Sequence, residues 1–430
     1  MENPKNVLAG AAALAAATAT GAYAAGSDTI KIGLVGCGGR GMADLTGSVK
    51  SSPGVIVWAL ADLFKDRIDT FRQSLKPLGE KIQVTDDRCF SGFDSCKKLL
   101  ASGVDLVLLC EPPGFRPLHM QQAIEAGKHV FCEKPVAVDP VGVRSVIATS
   151  EIATQKKLAI VAGTQKRHDA AYLEAIKRIQ GGDIGKIVSG QCYFITGTLW
   201  YHQPLPGWTE MEDQCRNWYY YTWLSGDHIV EQHVHNLDMM NWALGAPPVK
   251  CVATGGRQCR TEPKWGDIYD HFAVEYEYPD GVRVASYCSQ FGGQASHRIS
   301  DHLIGSEGTC DPSGIITGKK PWKWEGDRTD PTIQEHADLI ASIRKGEPLN
   351  DGKRIAESSM TAILGRMAAY TGREIKFDWA MKVSPLNLFP ENLAFGPHPV
   401  DPVAMPGKTE LLGAEPIPDK KPKAAAKKAK

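Results

Sequence analysis

The chain has 430 residues, enough for two or three domains with substantial cores. Lysine plus arginine and aspartate plus glutamate each number 49, so no overall basic field draws nucleic acid to it, and 43% apolar residues is ordinary for a globular protein. The 11 cysteines, an odd number without a Cys-x-x-Cys pair, read as free buried thiols, Cys37, Cys110 and Cys132 among them, and exclude a zinc or redox site of that type.

Asn6 to Ser27 carries no charge, is rich in alanine from Val7 onward, and ends in the small-x-small run Ala22-Tyr23-Ala24. Residues 1–26 therefore read as a signal peptide with a thin basic segment, Lys5 alone. Alanine is too weakly apolar for a permanent membrane span. The expectation is an exported, periplasmic protein; the alternative is an N-terminal extension on a cytoplasmic enzyme.

The strand-like run Ile30 to Val35 leads into Gly36, Gly38 and Gly41, spaced G-x-G-x-x-G. The first glycine permits the turn, the second lets the backbone approach a pyrophosphate, and the third lets the next helix pack. After a helix, Met42 to Lys50, and the strand Val55 to Leu60 comes Asp62, 21 residues beyond Gly41. An acid at that spacing accepts the ribose hydroxyls and repels a 2′-phosphate, so NAD is expected rather than NADP.

Helices over Asp66 to Leu78, Ser95 to Ala101, His119 to Ala126 and Val141 to Thr154 alternate with strands at Gly103 to Cys110, His129 to Pro135 and Leu158 to Gly163. This predicts a Rossmann domain over residues 28–163, doubly wound, with ligands at the carboxyl ends of its strands. Gly36, Gly38, Gly39, Arg40, Gly41, Asp62, Glu111, Pro112, Glu133 and Lys134 are the candidate cofactor-binding residues.

Beyond Gly163 a helix over Ala170 to Gln180 is followed by strand-like runs at Lys186 to Ile195, Val249 to Gly255, His271 to Tyr278 and Val282 to Gln290. The last two are joined at Pro279-Asp280-Gly281, a hairpin turn. Two amphipathic helices, Thr332 to Lys345 and Lys353 to Thr371, close the folded part. The fold class is α/β: a Rossmann doubly wound parallel sheet, then over residues 164–380 an α+β domain with a large, mainly antiparallel sheet that binds substrate. Residues 381–430 read as a proline-rich extension and a basic tail.

At the exit of the strand after His129 stands Glu133-Lys134-Pro135, where a lysine reaches into the cleft beside a nicotinamide and favours an alkoxide. The glycine turn, Asp62, this tripeptide and the change to an antiparallel second domain resemble the Gfo/Idh/MocA family of sugar and polyol oxidoreductases, over roughly Ile30 to Asp378. The resemblance implies that Lys134 is catalytic. The family's motif D-x-G-x-H-x-x-D-x-x-x-W-x-x-G is matched at His235, Asp238, Trp242 and Gly245, with Glu231 in place of the aspartate and His233 in place of the glycine. The stretch from Leu224 to His233 is similar to a clade of exported bacterial members. Kinship also implies a homo-oligomer built through the second domain's sheet.

Glu231 and His235, four apart, would share a helix face, so the carboxylate would orient an imidazole that takes the substrate proton. His233 would be a second proton shuttle. A metal site made of Glu231, His233 and His235 is disfavoured, because histidines two apart on a helix face different ways; no metal centre is expected. Tyr201, Trp208 and Trp218, with Arg216 among them, are placed to stack on and read a sugar, and Gln165, Arg167 and His168, just after the sixth strand, are placed to meet substrate or cofactor and are candidate substrate-binding residues. The expected function is NAD-dependent oxidation or reduction of a secondary hydroxyl of a carbohydrate. One alternative is an NAD-dependent glycoside hydrolase or lyase working by transient oxidation; another is a sugar-binding protein without catalysis.

Overall fold

The computed structural model describes residues 29–414; the segment read as a signal peptide and the basic tail lie outside them. β1 (Ile30–Val35), α1 (Gly39–Ser51), β2 (Val55–Asp62), α2 (Lys65–Ser74), β3 (Cys89–Ser91), α3 (Ser95–Leu100), β4 (Leu106–Leu109), α4 (Arg116–Glu125), β5 (His129–Cys132), α5 (Pro140–Lys156) and β6 (Ile160–Ala162) form the first unit. Its six strands are all parallel in the order β3-β2-β1-β4-β5-β6. Leu106, Val107, Leu108 and Leu109 are all fully buried, the unbroken apolar run that a sheet covered on both faces requires. The crossover from β3 to β4 reverses the winding beside β1, which opens the crevice at the carboxyl ends of β1 and β4.

The second unit holds α6 (Ala170–Gln180), β7 (Ile187–Thr196), α7 (Glu210–Arg216), α8 (Thr222–Ser225), α9 (His228–Glu231), α10 (Val234–Leu244), β8 (Lys250–Gly256), β9 (His271–Glu277), β10 (Arg283–Gln290), β11 (Arg298–Gly305), β12 (Gly308–Asp311), β13 (Ile315–Gly318) and β14 (Trp322–Lys323). α11 (Pro331–Lys345), α12 (Gly352–Thr371), β15 (Ile375–Lys376) and α13 (Phe377–Lys382) follow. The nine-stranded sheet runs β14-β13-β12-β11-β7-β10-β9-β8-β15. It is antiparallel except where β7 and β10 pair in parallel, Arg283 opposite Ser189 through Gln290 opposite Thr196. The helices α10 and α12 cover one face.

Three features depart from the sequence reading. The helix expected over Asp66 to Leu78 spans Lys65–Ser74 and passes into a 3₁₀ turn, Lys76–Lys81, where Pro77 and Gly79 (φ +58°) end regular α structure. The sequence reading does not include the four strands β11 to β14: β12 to β14 are short, and β11, though eight residues long, begins with the polar-rich run Arg298-Ile-Ser-Asp-His. The chain also does not finish folding at α12: Leu388 N–H donates to Asp139 Oδ2 (2.8 Å), Tyr269 OH to Ala404 O (2.8 Å), and Leu411 is buried. α11 returns to the first unit, where Leu339, Ile340 and Ile343 join the core of β1 and α1.

Candidate active site

The glycine turn follows from steric demand. Gly36 has φ +99°, and a Cβ there would lie 2.7 Å from Glu111 N, so the turn passes tightly over the exit of β4. A Cβ at Gly41 would collide with Gly36 O. Gly38 and Gly39 differ: around Gly39 nothing lies within 4 Å of such an atom, and around Gly38 only Arg67 Nη1 at 3.9 Å. Gly38 is the N-cap of α1 and brings no side chain to its first N–H groups. Open space above uncapped N–H groups at a helix start fits a pyrophosphate.

Asp62 closes the other side. Its Oδ2 accepts from Cys37 N–H (2.8 Å) and its Oδ1 from Phe64 N–H (2.9 Å), which ties the turn to the end of β2. Burial raises its pKa and these two bonds pull it back. Arg67, one turn into α2, lines the same pocket beside Asp62 and has no hydrogen-bond partner among the described residues. The sequence reading missed it, although an arginine five residues past the acid was visible. Glu111 and Pro112 also line the pocket. Glu111 Oε1 meets His119 Nδ1 at 3.1 Å, and Arg116 donates to Glu111 O (2.7 Å) and Pro135 O (2.6 Å), holding the exits of β4 and β5 together.

Glu133 lies against Gly163, where a Cβ would stand 2.6 Å from its Oε1. Its Oε2 accepts from Lys134 N–H (3.0 Å), and Arg40 Nε is 3.5 Å from Oε1. Arg40, half-exposed, also stands 3.6 Å from Asp44, so its charge is shared with these acids.

Lys134 is buried and spans the two units: Nζ donates to Glu231 O (2.6 Å) and to Glu231 Oε1 (3.0 Å). Glu231 Oε2 is buried without a hydrogen bond to any described residue. Glu231 is therefore the partner of Lys134 and not, as expected, the orienting group of His235. The two do not share a helix face, because α9 ends at Glu231 and α10 begins at Val234. At the break His233 N–H reaches back to His228 O (3.2 Å).

His235 is partly exposed and makes no side-chain hydrogen bond to a described residue. Burial, then the ammonium groups of Lys134 and Lys166, hold its pKa well below the usual histidine value. It is neutral at pH 7, the form that accepts a proton. Lys166 was not anticipated. The 3₁₀ turn Gln165–His168 sends it toward Asp301 (2.6 Å), whose other oxygen accepts from Asn236 (2.7 Å).

His233 is not a shuttle. It is fully buried on the sheet side, with Nε2 2.7 Å from Ser286 Oγ on β10, and burial pushes its pKa down to about 3. Arg167 and His168 also leave the cleft. Arg167 pairs with Asp238 (2.8 Å) and stacks on Trp242, while His168 Nδ1 meets Asp338 on α11. Of that triplet, Gln165 alone has a side chain without a hydrogen-bond partner among the described residues. Asp238 is further held by Arg354 (3.2 Å) and Ser358 (2.7 Å), and it stays ionised well below the usual carboxylate range as a result.

The aromatic segment is also relocated. Arg216 makes paired 3.0 Å bonds to Asp66 and lies over Phe64 and Trp208, because a planar guanidinium can satisfy a carboxylate and two rings together. Trp218 lines the pocket of the glycine turn. These three residues thus cover the cofactor domain instead of facing a sugar, and Tyr201 packs on Tyr220 and Trp265. Tyr219, fully buried, accepts from Gln290 (2.7 Å) and lies close enough to Glu231 for that carboxylate to help raise its pKa.

Asp227, N-cap of α9, was not singled out either. It has φ +74°, and its carboxylate accepts from His228 N–H, His228 Nδ1 (2.9 Å), Tyr269 N–H (2.7 Å) and Tyr370 OH (2.6 Å).

Residues 30–163 match the oxidoreductase family with an NAD-binding Rossmann fold, and residues 172–311 match the GFO/IDH/MocA C-terminal domain. An inositol 2-dehydrogenase of Saccharopolyspora erythraea is 24% identical over 338 residues, 74% of this chain and 88% of that one. The D-glucoside 3-dehydrogenase of Escherichia coli is 32% identical over 188 residues, but the match spans only 43% of this chain and 48% of that one. Two other curated relatives are spanned over 59% and 54% of their lengths. The crystal structure of an aldose-aldose oxidoreductase from Caulobacter crescentus has the same fold, with a TM-score of 0.64 over 81% of this chain and 99% of that one at 19% identity.

Proposed function

Since the chain belongs to the Gfo/Idh/MocA family of NAD-binding oxidoreductases, we propose that it oxidises a secondary hydroxyl of a sugar or related cyclic polyol, or reduces the corresponding ketone. The observation that carries this reading is the buried ammonium of Lys134, fixed at the seam of the two units by Glu231, beside a neutral His235. Bound NAD supplies the hydride acceptor. Gly38, Gly39 and the start of α1 would hold its pyrophosphate and Asp62 its ribose. His235 takes the hydroxyl proton as the carbinol C–H bond breaks, and Lys134 stabilises the developing negative charge on oxygen. The products are a ketone, reduced cofactor and a protonated imidazole that passes its proton to solvent.

The test is a panel of inositols, free aldoses and glucosides followed at the NADH absorbance band. Stoichiometric reduced cofactor from at least one of them is expected. No response from any, with NAD bound, would sink the assignment.

One observation favours a second reading. Phe395 of the C-terminal segment packs on Phe64 and Phe93, and Met211 N–H donates to Gly396 O (3.2 Å). A cofactor under that strap would exchange slowly. This suits a redox-neutral cycle in which transient oxidation allows elimination of a glycosidic bond, water adds and the hydride returns. Cleavage of a nitrophenyl glycoside without added NAD would select it. Export, which rests on residues 1–26, would suit the same cycle. Exposed Val188, Val252, Tyr287 and Ile299 on the second sheet support assembly into a homo-oligomer.

A further inference from the structure

Behind the glycine turn, where α11 packs on α1, three acid and imidazole side chains meet in the interior. Asp44 projects from α1, and Glu335 and His336 from α11. Each is at most 1% exposed. One carboxylate oxygen of each acid and one ring nitrogen of the histidine all lie within 4.8 Å of one another.

Each of the three also carries a buried polar atom without a hydrogen bond to any described residue: Asp44 Oδ1, Glu335 Oε2 and His336 Nε2. Such atoms are rare in a folded interior, because each forfeits the hydration it would have in water. Their partial partners are accounted for. Asp44 Oδ2 accepts from the Cys110 thiol at 3.2 Å, and Arg40 approaches Oδ1 no closer than 3.6 Å. His336 Nδ1 is 2.9 Å from Ser48 Oγ, and its ring lies 4.2 Å from that of Phe131. If Nδ1 carries the proton toward Ser48, Nε2 keeps a bare lone pair, the tautomer in which a histidine can bind a metal while its other nitrogen is held by a hydrogen bond.

We propose that a single divalent ion of zinc type binds between Asp44, Glu335 and His336. Two carboxylate oxygens and an imidazole nitrogen form a donor set for such an ion. Ligand atoms on a tetrahedral ion with bonds of about 2.1 Å are about 3.4 Å apart, so side-chain adjustments would close the set.

Charge argues the same way. Glu133 adds a third carboxylate nearby, and one guanidinium, Arg40, serves both it and Asp44. Burial and the neighbouring acids raise the pKa of both Asp44 and Glu335, so the ion would bind by displacing their protons. The ion would be a structural pin joining α11 to the helix that starts at the cofactor turn. It takes no part in hydride transfer.

The test uses the full chain, stripped with dipicolinate and then titrated with Zn²⁺ by calorimetry, with metal content measured after desalting. One ion per chain is expected, with a rise in melting temperature on adding Zn²⁺. In His336→Gln, affinity should drop by about 100-fold or more, since even losses outside the coordination shell weaken binding about 10- to 100-fold. No retained ion, or an affinity unchanged by His336→Gln and Asp44→Asn, would overturn the proposal. If those variants do not fold, wild-type crystals soaked in Co²⁺ decide: an anomalous peak between the three side chains supports the site, and its absence there refutes it.

Discussion

Replacing Lys134 by methionine separates a chemical role from a structural one. The side chain keeps most of its length, but Glu231 loses the ammonium 3.0 Å from Oε1 and 2.6 Å from its carbonyl oxygen. Glu231 Oε2 already lacks a hydrogen bond, so the variant leaves a buried carboxylate with no partner for either oxygen. Removing one member of such a pair destabilises by about 3–5 kcal/mol. Turnover should fall by about 10²- to 10⁴-fold, the usual range for a positioned acid–base group. The pKa of His235 should rise toward its ordinary value, since the largest of the three cationic contributions depressing it, after burial, is gone. Adding Glu231→Gln removes the stranded charge, so the double variant should regain much of the stability and none of the turnover. Urea unfolding, NAD binding by tryptophan fluorescence and rates at the NADH band measure the three effects. Recovery of turnover together with stability in the double variant would show that Lys134 is only a clasp.

The glycine turn gives a paired test. Gly41→Ala forces a collision with Gly36 O and should reduce both stability and NAD affinity, whereas Gly39→Ala meets open space and should weaken NAD binding with the melting temperature of the cofactor-free protein unchanged. Equal effects in the two would remove the cradle assignment. Asp62→Ser deletes the charge beside Arg67, so the NADP-to-NAD affinity ratio should rise by about 10-fold or more, one lost repulsion being worth about 1.4 kcal/mol or more; an unchanged ratio would place the ribose elsewhere. His233 makes stability depend on pH. The unfolded chain binds a proton there below about 6.5, while the folded one resists until about 3. Its contribution is therefore intact above 6.5 and lost as pH falls through that window, and His233→Gln should flatten that part of the curve in equilibrium unfolding.

The parallel sheet and the cofactor turn were legible because local chemistry dictates them. Gly36 and Gly41 have backbone as their neighbour, and the fully buried strand Leu106–Leu109 is apolar throughout. The substrate side was less legible because its side chains are placed by long-range partners. Arg216 reads as a sugar-binding arginine until Asp66, 150 residues away, is seen to hold it. Arg167 and Lys166 are adjacent in the chain, yet the 3₁₀ turn sends one to Asp238 and the other to Asp301. Periodicity could not separate them. The error at Glu231 and His235 has the same origin, since a four-residue spacing implies a shared face only if the helix is continuous.

That discontinuity is built from both sides. Asp227 adopts φ +74°, a conformation that costs a non-glycine residue about 1–3 kcal/mol, and four hydrogen bonds to its carboxylate hold it there. They tie the start of α9 to the backbone of Tyr269 and the hydroxyl of Tyr370 on α12. Asp238, one turn into α10, is gripped by Arg167, Arg354 and Ser358. With both helices anchored, the link at Gln232 and His233 has little freedom. The insertion of His233 between Ser286 and Cys192 then takes up the residue that breaks the helix. Glu231 is left at the end of one helix, facing Lys134, and His235 at the start of the next, with an unpartnered ring in the cleft. A continuous helix would have set the carboxylate against the imidazole and left the lysine without its clasp. The break therefore assigns the carboxylate to the cation and leaves the histidine free to accept a proton.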